Sequence, residues 1–165
     1  MKIEEKNGQL VIVDFNEVEA YKISCKVEKD GISFYRKLKD KVDKPEVKET
    51  LDFLIGEENR HLKFFQDCLY EAREKKEDYF EDDDLLSYMD FGVFQPYKSI
   101  NELENILSDV NKALRLGMVI EDKSIKFYQL CRDSVSSEET KKELSNIIDE
   151  ETRHKKLLEG IINRI

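Results

Sequence analysis

The chain contains an internal repeat, and this repeat constrains its fold more than any other feature. A shift of 93 positions takes Glu28 to Glu121 and aligns the two segments without a gap. The matched pairs include Ile32 with Ile125, Tyr35 with Tyr128, Asp40 with Asp133, Leu51 with Leu144, Glu57 with Glu150, Glu58 with Glu151, Arg60 with Arg153 and His61 with His154. Self-similarity at a fixed offset indicates one supersecondary unit present twice.

Each copy is predicted to be a helical hairpin, because apolar residues recur at helical spacing on both sides of a short turn. In the first copy, the turn is expected at residues 41–44, and Pro45 then fits the first turn of the next helix. Asp14 and Glu17 are predicted to form a capping box that starts the first helix, and the second helix is predicted to reach about Lys76. The inward faces are expected to carry Tyr21, Cys25, Glu28, Ile32, Tyr35 and Leu38, then Leu51, Leu54, Ile55, Glu58, His61, Phe65 and Leu69.

The second copy follows the same pattern. A helix is predicted from about Ser108 to Ser134, after a short helical segment near Ser99, and a capping box of Ser136 and Glu139 is predicted to start the last helix. The inward faces are expected to carry Leu114, Met118, Glu121, Ile125 and Tyr128, then Leu144, Ile147, Ile148, Glu151, His154, Leu158 and Ile161.

Two stretches lie outside the repeat. In residues 1–13, Asn7-Gly8 is a hairpin turn signal before the β-prone run Leu10 to Val13, which predicts an N-terminal hairpin or arm. Residues 77–100 are long for a connection in a compact domain, and a crossover between opposite ends of a bundle explains this length. Such a crossover makes the second and third long helices parallel. The prediction is therefore an all-α fold, with residues 1–165 in one domain, in which two duplicated hairpins form a four-helix bundle.

Composition excludes several classes of partner. The net charge of −9 leaves no basic stripe for nucleic acid and disfavours an anionic membrane surface. No apolar run approaches the roughly 20 residues of a membrane span. The first residues lack a signal-peptide core, so a cytoplasmic protein is expected.

The three cysteines, Cys25, Cys68 and Cys131, form no Cys-x-x-Cys motif. This is typical of a reducing compartment and indicates that they are small buried hydrophobes rather than metal ligands.

The hairpin spacing predicts that glutamates and histidines meet at one height. Glu58 follows Glu28 by 30 positions, and Glu151 follows Glu121 by the same 30. With the turn midway, each arm climbs about 12 residues, or roughly 18 Å, so the second glutamate returns to the level of the first. His61 and His154 each follow a glutamate by three residues, which places both side chains on one helix face.

Four carboxylates inside an apolar bundle repel one another, and two divalent cations would balance their charge. Mixed carboxylate and imidazole ligands suit iron or manganese, and zinc could substitute. One glutamate from each of two helices plus Glu-x-x-His from the other two is the arrangement of carboxylate-bridged di-iron bundles. The predicted metal ligands are Glu28, Glu58, His61, Glu121, Glu151 and His154, with Glu58 and Glu151 bridging and Glu28 and Glu121 each on one metal.

Further residues are candidates for supporting this centre. Glu57 and Glu150 precede the histidines by four residues and could accept the outer ring N–H, although exposed helix charge explains them equally well. Tyr35 and Tyr128 lie two turns after Glu28 and Glu121, where they could hydrogen-bond the opposite carboxylates, donate electrons or simply pack. Arg60 and Arg153 are expected to pair with neighbouring acids on the bundle surface.

These motifs resemble the rubrerythrin branch of the ferritin-like superfamily. The matching segments are Glu28-Lys-Asp-Gly-Ile-Ser-Phe-Tyr35, Glu57-Glu-Asn-Arg-His61, Glu121-Asp-Lys-Ser-Ile-Lys-Phe-Tyr128 and Glu150-Glu-Thr-Arg-His154, within residues 14–163. The resemblance implies a ferritin-like bundle with two iron ions at the six predicted ligands, reaction with peroxide or dioxygen, and a homodimer. Two departures matter: no rubredoxin-type cysteine motif is present, so electrons must come from a separate donor such as a rubredoxin, and Ser124 replaces a further glutamate ligand.

Three functions remain open at this point. The leading interpretation is a redox enzyme that reduces peroxide or dioxygen. The second is iron binding or storage without catalytic turnover, and the third is a structural bundle that uses metal only for stability.

Overall fold

The structure is a computed structural model, and it describes residues 2–6, 9–13, 16–74 and 100–164. Within these ranges, two short strands come first and five helices follow. They are β1 (Lys2–Lys6), β2 (Gln9–Val13), α1 (Glu17–Asp40), α2 (Pro45–Glu74), α3 (Ile100–Leu107), α4 (Val110–Ser134) and α5 (Glu138–Ile162). The four long helices confirm the predicted all-α bundle, and α3 confirms the short helical segment before the second hairpin.

The bundle consists of two antiparallel hairpins. Helix α1 packs on α2, and α4 packs on α5. Between the hairpins, Tyr35 of α1 meets Glu121 of α4, and Glu28 meets Tyr128. Because the later residue of one helix meets the earlier residue of the other, α1 and α4 are antiparallel. Helix α2 therefore runs parallel to α4, as the predicted crossover requires; the crossover itself and the end of α2 near Lys76 lie outside the described residues.

The helix starts differ from prediction in two places. Helix α1 is capped by Asn16, whose side chain accepts hydrogen bonds from the backbone N–H groups of Val18 and Glu19, so the predicted capping box of Asp14 and Glu17 is wrong. Helix α5 is capped by Ser137 rather than Ser136. In both cases neighbouring polar residues offer competing caps, and the tertiary entry angle of the chain decides between them. Pro45 starts α2 as predicted.

Two apolar clusters sandwich a polar layer at mid-height of the bundle. The first cluster centres on Phe65 and Phe127, and the second on Leu51 and Leu114. Of the residues predicted to face inward, nearly all are buried, whereas Ile55, Leu69, Met118 and Ile125 are half-buried. The helical periodicity therefore identified the core correctly.

The predicted N-terminal hairpin is confirmed. Strands β1 and β2 pair antiparallel from Lys2 opposite Val13 to Lys6 opposite Gln9, and the predicted turn at Asn7-Gly8 lies outside the described residues. Strand β2 also contacts α4, so the hairpin lies against the second half of the bundle. None of the helices in the described ranges has the length and apolarity that a membrane span needs.

Candidate metal centre

The polar layer brings together all six residues that the sequence analysis placed at one height. Each of the four long helices contributes, and every residue in the set is at most 4% exposed. The set comprises Glu28 from α1, Glu58 and His61 from α2, Glu121 from α4, and Glu151 and His154 from α5. Helical spacing explains the layer, because residues three apart on α2 and on α5 point to the same side.

The six side chains form two overlapping groups whose ligand atoms lie within 4.8 Å of one another. One group holds Glu28, Glu58, His61 and Glu151, and the other holds Glu58, Glu121, Glu151 and His154. Glu58 and Glu151 belong to both groups, so they occupy the position that bridging carboxylates would take. Each group could hold one metal ion.

The histidines present the same ring nitrogen to the centre. His61 Nδ1 lies 3.1 Å from Glu151 Oε1 and 3.8 Å from Glu28 Oε2. His154 Nδ1 lies 2.9 Å from Glu151 Oε2 and 3.3 Å from Glu58 Oε1. The two imidazole rings are nearly parallel, with centroids 5.8 Å apart. Both Nδ1 atoms therefore point at the space that the carboxylates enclose.

Burial and mutual repulsion perturb the carboxylates. Desolvation and then the charge of Glu151 raise the pKa of both Glu58 and Glu121 well above the usual value. Burial also acts on Glu151, but the two adjacent imidazole rings outweigh it and lower the pKa of Glu151 below the usual value. Ionising all four carboxylates of the cluster is therefore unfavourable unless positive charge lies nearby.

The histidines supply part of that positive charge. Burial by itself lowers the pKa of His61, but the nearby carboxylates of Glu151 and Glu28 raise it to about 11. In the same way, Glu151 and Glu58 overcome burial and raise the pKa of His154 to about 9. These protons occupy positions that divalent cations could take, since metal ligands must be deprotonated.

Several ligand atoms lack any hydrogen-bond partner, which fits a cation between them. Within the described part of the chain, the buried atoms Glu28 Oε2, Glu58 Oε1 and His61 Nδ1 make no hydrogen bond. Buried polar atoms are normally satisfied, so such a group converging on one space indicates a missing partner. Oxygen and imidazole nitrogen without thiolate form a donor set that suits iron or manganese.

The predicted tyrosine hydrogen bonds are confirmed. The Tyr35 hydroxyl donates to Glu121 Oε1, and the Tyr128 hydroxyl donates to Glu28 Oε1. Both rings are fully buried. Each tyrosine therefore reaches from one hairpin to a buried glutamate of the other and fixes its orientation.

Of the two outer carboxylates, Glu150 contacts an outer histidine nitrogen as predicted and Glu57 does not. Glu150 Oε2 lies 2.9 Å from His61 Nε2, across the bundle, rather than near His154 of its own helix. Glu57 contacts Arg60 and neither histidine. Arg60 also reaches Glu150 Oε2 at 2.5 Å, a contact between hairpins that local spacing did not reveal. Burial opposes ionisation of Glu150, but hydrogen bonds from Arg60 and His61 lower its pKa.

Ser124 and the three cysteines belong to neither candidate metal group of the described residues. Ser124, at the position of the expected additional glutamate, is buried and donates to the Ile120 carbonyl oxygen at 3.2 Å. Cys25 and Cys131 are buried and Cys68 is half-buried. Neither candidate metal group in the described residues includes a cysteine.

Two antiparallel helical hairpins around a buried layer of four carboxylates and two imidazoles define a ferritin-like protein. The family model described as rubrerythrin matches residues 19–162 of this sequence. Because the match spans most of the chain, the chain belongs to the rubrerythrin family, as its motifs predicted. The searches of curated proteins and of solved structures gave no match.

Proposed function

We propose that this protein binds two iron ions and uses them to reduce peroxide or dioxygen with electrons from a separate donor protein. The observation that carries the proposal is the pair of four-residue groups sharing Glu58 and Glu151. In the proposed assignment, those two glutamates bridge, Glu28 and His61 complete one position, and Glu121 and His154 complete the other. Four carboxylates would balance two divalent ions, so the loaded centre carries no net charge.

The side chains around the centre have definable tasks. Tyr35 and Tyr128 hold the terminal carboxylates through donated hydrogen bonds, which limits their swing. Glu150 holds His61 from the outside. The apolar clusters above and below keep bulk water out, which strengthens electrostatic interactions within the layer.

Bound ferrous ions would supply two electrons for reduction of the oxygen–oxygen bond. Reduction of hydrogen peroxide to two water molecules also consumes two protons. With all four carboxylates ionised on the metals, these protons would have to come from outside the ligand set, and the Tyr35 and Tyr128 hydroxyls are the protic groups that contact it. In this proposal the electrons are restored by a donor such as a rubredoxin, since the three cysteines of this sequence form no Cys-x-x-Cys motif.

Stopped-flow mixing of the anaerobic di-ferrous protein with peroxide tests the proposal. Oxidation should be much faster than that of the same concentration of free Fe(II). Glu121→Gln, which removes a proposed ligand, should slow oxidation, whereas Glu104→Gln on the exposed side of α3 serves as the matched control. Equal rates for protein-bound and free Fe(II) would reject the redox proposal.

The same preparation separates the two alternatives. Iron uptake well beyond two ions per chain, together with a cage-sized assembly, would favour storage. Full thermal stabilisation by zinc, with no acceleration of peroxide reduction by iron, would favour a structural role for the metal.

A further inference from the structure

We propose that the two metal positions are unequal, and that Glu150 makes the position at Glu28 and His61 the one that fills first. This inference rests on the metal-binding part of the proposed function. It concerns the order in which the two positions fill and their affinities. From the repeated ligand set alone, the two affinities would be expected to be equal. The difference arises outside the ligand set, where the two halves of the repeat make different contacts.

The outer ring nitrogen of His61 has a carboxylate partner. Its Nε2 lies 2.9 Å from Glu150 Oε2, and the same carboxylate is met by Arg60 at 2.5 Å and by Arg153 at 3.3 Å. A carboxylate between two guanidinium groups stays ionised and acts as an acceptor. Nε2 of His61 therefore donates its proton to Glu150. Nδ1 faces the space beside Glu28 and Glu151, where its lone pair would bind a metal ion in place of a proton.

His154 lacks the corresponding support. Its Nε2 atom is buried, and no described residue hydrogen-bonds it. The residue that the repeat would supply is Glu57, the counterpart of Glu150. The structure places its carboxylate on Arg60 at 3.2 Å instead, with the side chain 23% exposed. Neither the tautomer nor the ring orientation of His154 is fixed from the outside.

This difference has a predictable effect on metal affinity. An outer acceptor fixes the tautomer of a ligating histidine and makes its metal-binding nitrogen more basic, and removing one typically lowers metal affinity by about 10–100-fold. The position at Glu28 and His61 should therefore bind about 10–100-fold more tightly than the position at Glu121 and His154. The first equivalent of metal goes to His61.

Zinc titration followed by nitrogen NMR tests this order directly in the unmodified protein. The chain contains two histidines, so a ring-nitrogen spectrum of labelled protein holds two imidazoles, which His154→Gln assigns. With up to one equivalent of Zn²⁺, the His61 resonances should shift and those of His154 should change only with the second equivalent. Simultaneous shifts, or a shift of His154 first, would overturn the proposal.

A matched pair of variants assigns the cause to Glu150. Calorimetric titration with Zn²⁺ should show the tighter step weakened by about 10–100-fold in Glu150→Ala and unchanged in Glu57→Ala. Glu150→Gln retains an acceptor oxygen and should recover part of the loss, and the His61 ring-nitrogen shifts should report the changed tautomer. Equal effects of the Glu150 and Glu57 substitutions would overturn the assignment.

Zinc keeps this test apart from the redox proposal. Zn²⁺ does no electron transfer, so ordered binding can be observed even if peroxide is not reduced. Conversely, rapid peroxide reduction with two equal zinc sites would reject the inequality and leave the redox proposal standing. Failure to bind zinc or Fe(II) at all would reject both.

Discussion

Loading the cluster with divalent metal is expected to displace at least two protons near neutral pH. The pKa of His61 is raised to about 11 and that of His154 to about 9, so both imidazoles carry a proton at Nδ1 around pH 7. Metal coordination requires that nitrogen to be free. Glu151, whose pKa is lowered, contributes no proton, whereas Glu58 and Glu121, whose pKa values are raised, can only add to the number.

The pH dependence of affinity follows from this count. With two protons released, the combined binding constant for both ions should rise about 100-fold per pH unit between about pH 7 and 9. Above the pKa of His154, about 9, one imidazole proton fewer is released, so the slope should fall by a factor of about 10 per pH unit. Metal binding is thus favoured by high pH and lost as the histidines hold their protons at low pH.

Calorimetry with Mn²⁺ under anaerobic conditions measures the protons directly, through titrations in buffers of different ionisation enthalpy. The His154→Gln variant has one imidazole fewer in the centre and should release one proton fewer. Binding that releases no protons near pH 7, or an affinity independent of pH, would show that the imidazoles are neutral before metal arrives and would refute the reasoning.

Four further predictions concern stability. Without metal, the folded protein holds histidine protons that the unfolded chain releases above about pH 6.5. The free energy of unfolding should therefore fall as the pH rises from there through the pKa of His154, about 9, and toward that of His61, about 11. Thermal melts of the metal-free protein check this, and a melting temperature that rises over this range would contradict it. Replacing Tyr35 or Tyr128 by phenylalanine should lower the free energy of unfolding by about 1–3 kcal/mol, measured in urea, because a buried carboxylate loses a donor. Gly117→Ala should destabilise by about 1–3 kcal/mol, since its Cβ would lie 3.1 Å from Leu158 Cδ1. Gly56→Ala, with no atom within 4 Å of its Cβ, should stabilise by about 0.5–1 kcal/mol, and equal melting temperatures for the two glycine variants would count against both estimates.

Helix ends show where sequence reasoning lost accuracy. The turn before Pro45 was predicted correctly because proline permits few alternatives there. At the starts of α1 and α5, however, several capping residues stand side by side, and Asn16 and Ser137 are the ones used. Capping energies of these residue types are too similar for sequence to choose among them, so the path of the incoming chain decides.

The sequence by itself determined which residues share a layer. Helical rise and the equal 30-residue spacing within each hairpin fix the height of Glu28, Glu58 and their repeats, and periodicity fixes the face on which they lie. Only the tertiary structure decided which side chains meet across the bundle. Glu150 joins His61 of the other hairpin, while its repeat partner Glu57 turns to Arg60. Contacts between helices depend on the rotation of one hairpin against the other and on the rotamers of long side chains, and neither is encoded in local spacing.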